Sequence, residues 1–313
     1  VYPNIARAEY ARTIYPPMAQ VIFAAVGQVW SSVTGVKAAM VAFELLAVLC
    51  LLSLLKSAGL PPERVLIYAW NPLAVWAFAG NGHVDAAAIG LVAAAILLRV
   101  RHCDGWAGII LGGAILVKFL PAVIAPALWS SRRGWRLAIL CAVTVAGLYA
   151  LYINVGWHVF GYLSGYGAEE ELDSGGGFWL LAGLSRIMPL PPGAPAIYMA
   201  AAALLLAGLG CWFAFVVRPD DPVAICTAAG TMITVLLFAI SPHYPWYFAW
   251  LAVPAVLAPY RAFVWLAAAP VLLYLDTYGD RFVWPSVVFI PTLLLALAGL
   301  RHARVAQPIK GNI

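Results

Sequence analysis

The sequence predicts an all-α, polytopic integral membrane protein. Three observations predict it: 64% of the 313 residues are hydrophobic, only 10% are charged, and the mean hydropathy is +0.92. A soluble domain carries about a quarter charged residues. Apolar runs recur along the whole chain, and ~20 apolar residues cross a hydrocarbon core as a helix that satisfies its own backbone. The expected architecture is one transmembrane domain over 1–313 with roughly nine to eleven membrane helices, short broken ones included, and an external juxtamembrane helix.

From the N-terminus, residues 1–37 read as an external loop and helix, because Gln20 and Gln28 interrupt the apolar run 16–33. The chain opens on Val, and its polar, turn-like start through Arg12 is unlike a signal sequence, so a preceding segment is expected. Further apolar runs lie at 38–55, 65–79, 84–100, 106–129, 135–155, 195–217, 223–240, 246–258, 262–275 and 282–300. Lys118 and Pro121 interrupt 106–129, which therefore reads as two short helices turning near Lys118, sheltered by protein around a wet cavity. Residues 156–194 read as an external loop region.

The placement of Lys and Arg says more than the net charge of +5. Cytoplasmic loops favour Lys and Arg. Threading the chain backwards from Arg301, Arg304 and Lys310 places Arg261, Arg218 and the Arg132–Arg133–Arg136 cluster inside and the acidic loop Glu169–Glu170–Glu171–Asp173 outside. With the turn at Lys118, Lys56, Arg64, Arg99, Arg101 and His102 also fall inside. The same threading collects Glu9 to Tyr15, His83 and Asp85, Lys118, His243 to Tyr247 and Asp276 to Arg281 on one outer face.

Several function classes are disfavoured. The five cysteines show no CxxC spacing, against a disulfide framework or thiolate metal site. There is no Walker A, GxGxxG before a helix, HExxH or GxSxG. The basic residues lack an aromatic-lined groove, so no nucleic-acid partner is expected. Of the acids, only Glu44 is expected deep in a span, which makes a proton-relay pump unattractive.

The richest segment is Ser241-Pro242-His243-Tyr244-Pro245-Trp246-Tyr247, a polar and aromatic cluster between apolar runs. It offers a proton carrier, stacking faces and hydroxyls at a membrane boundary, as a sugar or lipid head group requires. Transfer from a sugar phosphate needs a base for the acceptor hydroxyl and groups that stabilise the leaving phosphate. A monophosphate can be held by cations without an obligatory metal, so no cofactor is invoked and the metal requirement stays open; Arg12, Lys118 and His243 are the candidates, with Tyr244 beside them. Tyr15, Trp246 and Tyr247 are candidate sugar or lipid contacts.

Each has a plainer alternative. His83 and Asp85 can be a capping pair, with Asp85 opening the next helix. Lys118 is costly at membrane depth unless paired or wet, or it can snorkel. His243 can be a turn residue between prolines, and aromatic belts need no ligand. Glu169 to Asp173 is either a solvated loop or a cover over an acceptor. Asp276, Asp280 and Arg281 form a surface ion pair or close the outer cavity.

Four motifs occur in order: Thr13-Ile14-Tyr15-Pro16-Pro17-Met18-Ala19-Gln20; Trp70-Asn71-Pro72-Leu73 with Gly80-Asn81-Gly82-His83-Val84-Asp85-Ala86; Lys118-Phe119-Leu120-Pro121; and the segment from Ser241 to Tyr247. In this order they resemble the polyprenyl-phosphate-sugar-dependent glycosyltransferases of the C superfamily, most of all the family 87 mannosyltransferase-like proteins. The resemblance implies a multi-pass enzyme of the plasma (inner) membrane whose active face is external or periplasmic. It implies a polyprenyl-phosphate hexose donor, mannose being the candidate, and a glycolipid or polysaccharide acceptor. It also implies an acidic base in the first external loop; Glu9 is the only acid before Glu44, and His83 and Asp85 complete the catalytic candidates. A lipid-linked glycan flippase remains the alternative from another class, although no internal repeat supports it. A structural membrane subunit is a third.

Overall fold

The computed structural model describes residues 13–129, 134–217, 220–276 and 279–305. Among these there are helices and turns and no strands. The protein is an all-α, multi-pass membrane protein.

Helix α1 (Pro17–Val29) starts on a proline whose missing N–H costs nothing in a first turn. It is tied inward by Ala19 N–H, which donates to the Leu116 carbonyl at 3.1 Å. Helix α2 (Val33–Ser57) is capped by Ser32, whose hydroxyl accepts from Gly35 N–H at 2.9 Å. After the short α3 (Leu66–Ala69), Asn71 anchors the turn. Its carboxamide accepts from Leu73 and Ala74 N–H and donates to the Ala267 carbonyl at 2.9 Å, a structural duty that explains the Asn-Pro pair.

A π-helical turn over Ala74–Gly80 meets α4 (Asp85–Val100) at 114°. Gly82 permits the bend with φ +72°, a region that other residues adopt only with strain. Helix α4 is almost wholly buried between α2 and α5 (Asp104–Ile115). Close approach requires glycine here: a Cβ on Gly90 would sit 2.7 Å from the Phe43 carbonyl oxygen of α2. After α5 the chain breaks at residues 116–119 and resumes as a 3₁₀ segment, Leu120–Leu128. The turn expected near Lys118 is therefore present.

Helix α6 (Gly134–Ala150) packs on α5, and a 3₁₀ segment leads to α7 (Leu163–Glu169). Helix α8 (Trp179–Ser185) follows, then α9 (Ala194–Val216), of which only 6% is buried within the protein, leaving an apolar surface suited to lipid. Asp221 caps α10 (Pro222–Ile240) by accepting from Val223 and Ala224 N–H. A 3₁₀ segment Pro245–Leu251 runs into the buried α11 (Ala252–Leu257), followed by α12 (Arg261–Ala268) and α13 (Val283–Val305).

Among the described residues four helices, α2, α9, α10 and α13, are long and apolar enough to cross a membrane, or up to six spans if each of two bent pairs counts as one. Four shorter apolar helical pieces accompany them. Glu44 lies near the middle of the span α2, as expected, and is half-buried there, while Asp85 and Asp104, at the starts of α4 and α5, are packed inside the protein with 1% and 5% exposure.

Helix α4 separates two polar ends by about 21 Å, at 1.5 Å per residue. At one end Arg99 donates through Nη1 to Asp104 and through Nε to the Leu128 carbonyl, both at 2.8 Å, and so clasps α4, α5 and the 3₁₀ segment. The candidate site lies at the other end.

Candidate active site

The break after α5 delivers Lys118 to the start of α4. Its ammonium donates to both oxygens of Asp85, each at 2.9 Å. Asp85 takes a third bond from the Trp250 indole N–H at 2.8 Å. A carboxylate in the first turn of a helix also meets the positive end of the helix dipole. The Lys118 ammonium lies 3.9 Å from the centroid of the Tyr247 ring. Tyr15 stands close enough for the charges of Lys118 and Asp85 to act on it; burial pushes its phenol up, and Lys118 pulls it back. Gln20 donates to the Tyr15 carbonyl at 2.9 Å and fixes the segment ahead of α1.

A second cluster adjoins the first. The Tyr247 hydroxyl meets that of Tyr166 on α7 at 3.2 Å. One residue beyond α7, Glu170 places Oε2 at 2.6 Å from His243 Nδ1 and at 3.6 Å from Arg281 Nη1. Arg281 Nη2 also donates to the Glu169 carbonyl at 3.4 Å, and Tyr162 bonds the Glu169 carboxylate at 2.9 Å.

Aromatic rings join the clusters. His83 stacks on Trp246 with centroids 4.0 Å apart, Trp246 on Tyr244 at 4.5 Å, and Tyr244 meets His243 at 3.7 Å. Two rings this close to one indole would collide on the same face, so His83 and Tyr244 cover opposite faces of Trp246. The segment is aimed by Ser241, which leaves α10 with φ +43° while its hydroxyl donates to the Phe238 carbonyl at 3.0 Å.

The structure thus gathers Tyr15, His83, Asp85, Lys118, His243, Tyr244, Trp246 and Tyr247 from four separated stretches of chain. Glu9 and Arg12 lie outside the described residues. The acidic loop is not merely solvated: Glu170 is 12% exposed and faces His243. Of the trio at 276–281, Asp280 pairs with Arg186 at 2.8 Å and Arg281 turns inward. Sequence reasoning missed Trp250, Tyr166 and the inward roles of Glu170 and Arg281. Trp250 had a signal, since it follows Trp246 by four residues, whereas the other contacts are tertiary. Among the described residues no three His, Cys, Asp or Glu side chains gather as a metal-holding group.

The family model for glycosyltransferase family 87 matches residues 13–242 and so covers all four motif-bearing regions up to Pro242. The chain belongs to glycosyltransferase family 87. It is a membrane glycosyltransferase. No curated protein and no solved structure matches this family 87 chain. The charged and aromatic cluster is therefore the candidate active site of a family 87 enzyme.

Proposed function

We propose that the enzyme moves a hexose, with mannose the first candidate, from a polyprenyl-phosphate donor to a lipid-linked or polysaccharide acceptor at the external face of the plasma membrane. The observation that carries the reading is Lys118: a half-buried ammonium held by both oxygens of the buried Asp85, in a helix break, beside a histidine and a face of aromatic rings. A cation at that depth is costly unless it serves an anion or a pathway.

In the reaction the bond between the anomeric carbon and the phosphate oxygen breaks, a bond to the acceptor oxygen forms, and the acceptor proton passes to a base. Polyprenyl phosphate leaves with the bonding electron pair. Lys118 and His243 stabilise the charge that develops on the phosphate. Asp85 is buried and already takes three hydrogen bonds; its part is to orient Lys118, and the proton goes elsewhere, with Glu9 the acid proposed for it. His83, Tyr244 and Tyr15 shape the sugar side, where Trp246 offers its edges because its faces are covered.

The test is transfer of radiolabelled hexose from polyprenyl-phosphate donors to membrane lipids. Wild-type protein should transfer, while Lys118→Ala and His243→Ala should each lose about 100-fold, the scale of one oxyanion donor. Unchanged transfer in both variants would remove this cluster from the chemistry. Binding of donor with no transfer from any hexose would favour a carrier of lipid-linked sugar.

A further inference from the structure

Charge accounting at the site exposes a conflict. Lys118 is cancelled by Asp85, and Arg281 faces Glu170, which also holds His243. An arriving phosphate ester would meet two cations already matched by carboxylates, and it would stand beside Glu170 as a like charge, which costs binding.

The two carboxylates differ in how readily they could withdraw. Asp85 is 1% exposed, belongs to a buried helix and is fixed by Lys118 and Trp250. Glu170 follows the short α7, on a connection that continues through Ser174 to Gly177. Its contact with Arg281 is incomplete: Nη1 lies 3.6 Å from Oε2, and this nitrogen is buried with no hydrogen-bond partner. A buried guanidinium nitrogen left without a bond is expensive. His243 commits Nδ1 to Glu170, and its Nε2 has no partner among the described residues.

We infer that His243 and Arg281 form an anion site whose ligand is a phosphate ester, and that Glu170 occupies it as an internal stand-in until the ligand displaces it. The phosphate would complete the hydrogen bonding of Arg281 Nη1, for which planar guanidinium geometry is well suited. Displaced Glu170 would take its segment with it and loosen the Tyr166–Tyr247 contact, so that site occupancy and the position of residues 163–177 are coupled. The inference rests on the reading that this face receives a phosphate, but its test involves no sugar transfer.

The experiment measures binding of decaprenyl phosphate and, separately, of inorganic phosphate to the full protein in lipid nanodiscs. Glu170→Gln should bind decaprenyl phosphate about tenfold more tightly than wild type, because a competing charge is gone. Glu170→Asp should stay near wild type. The gain should vanish in Glu170→Gln/Arg281→Ala. A gain with both probes would assign the site to the phosphate group from any source; a gain with decaprenyl phosphate alone would assign it to a lipid carrier. Equal or weaker binding by Glu170→Gln would overturn the inference, since a carboxylate that only positions His243 would help binding. Hydrogen exchange on the wild-type protein gives an arm independent of any variant: amides of 163–177 should exchange faster with decaprenyl phosphate bound, and slower or unchanged exchange sinks the displacement. If the phosphate binds as described yet no hexose is transferred, only the proposed reaction fails.

Discussion

Lys118 and Asp85 meet through both carboxylate oxygens at 2.9 Å, from the end of one broken helix to the start of another. Breaking a buried pair strands a charge and costs about 3–5 kcal/mol, whereas replacing both partners by apolar groups is often neutral. Asp85→Ala should therefore lower the unfolding temperature of the purified protein sharply. Lys118→Met/Asp85→Leu should recover much of that stability without recovering transfer. A double variant that transfers normally would make the pair purely structural.

Arg99 and Asp104 are the matching pair at the far end of α4. Arg99→Ala should cost about 3–5 kcal/mol for the same reason. Because α4 holds this pair about 21 Å from Asp85, the folded fraction should keep its donor KM. Thermal unfolding and kinetics on the same sample separate the two effects.

Tyr247 serves two neighbours with two different parts of its side chain, the ring facing Lys118 and the hydroxyl facing Tyr166. Tyr247→Phe should lose one hydrogen bond, about 1 kcal/mol, seen as a several-fold fall in kcat/KM. Tyr247→Ala should lose more, as the cation–π contact adds about 0.5–2 kcal/mol. Equal effects of the two substitutions would show that the ring contributes nothing.

Asp280 carries a pH dependence outside the membrane spans. Its carboxylate accepts from Val283 and Phe282 N–H at the start of α13 and pairs with Arg186; the Val283 bond, foremost, holds its carboxyl below the usual range. A depressed folded value means that the contribution is complete above the unfolded pKa, about 3.9, and is lost as pH falls through the folded value. Asp280→Ala should cost about 1 kcal/mol at neutral pH as a lost cap. The gap between wild type and variant should close in acid, and thermal unfolding at pH 7 and below pH 3 checks it.

How much of this was legible in the sequence differs residue by residue. Lys118 and Pro121 announced a break because an interior cation and a proline both oppose a continuous span. The gathering of Tyr15, His83, Asp85, Lys118 and His243 at one end of α4 was expected from the threading of the loop charges. Arg99 was read only as a marker of sidedness, and its buried clasp was invisible because it needs a turn to bring Asp104 back and a carbonyl from Leu128. Glu170 looked like one acid among four, and only the fold selects it for His243. The left-handed Ser241 could not be foreseen either, since glycine is the usual occupant of that conformation.

His83 and His243 come from different halves of the chain, yet three ring contacts make them the two ends of one stiff rod. Close-packed faces cannot be pushed at one end without a response at the other. A group pressing on His83, within electrostatic range of Asp85 and Lys118, would be felt at Glu170 through Trp246, Tyr244 and His243, whose stacked rings and single short stretch of backbone move together. The aromatic run is in that sense a lever between two ion pairs, Lys118–Asp85 at one end and His243–Glu170 at the other.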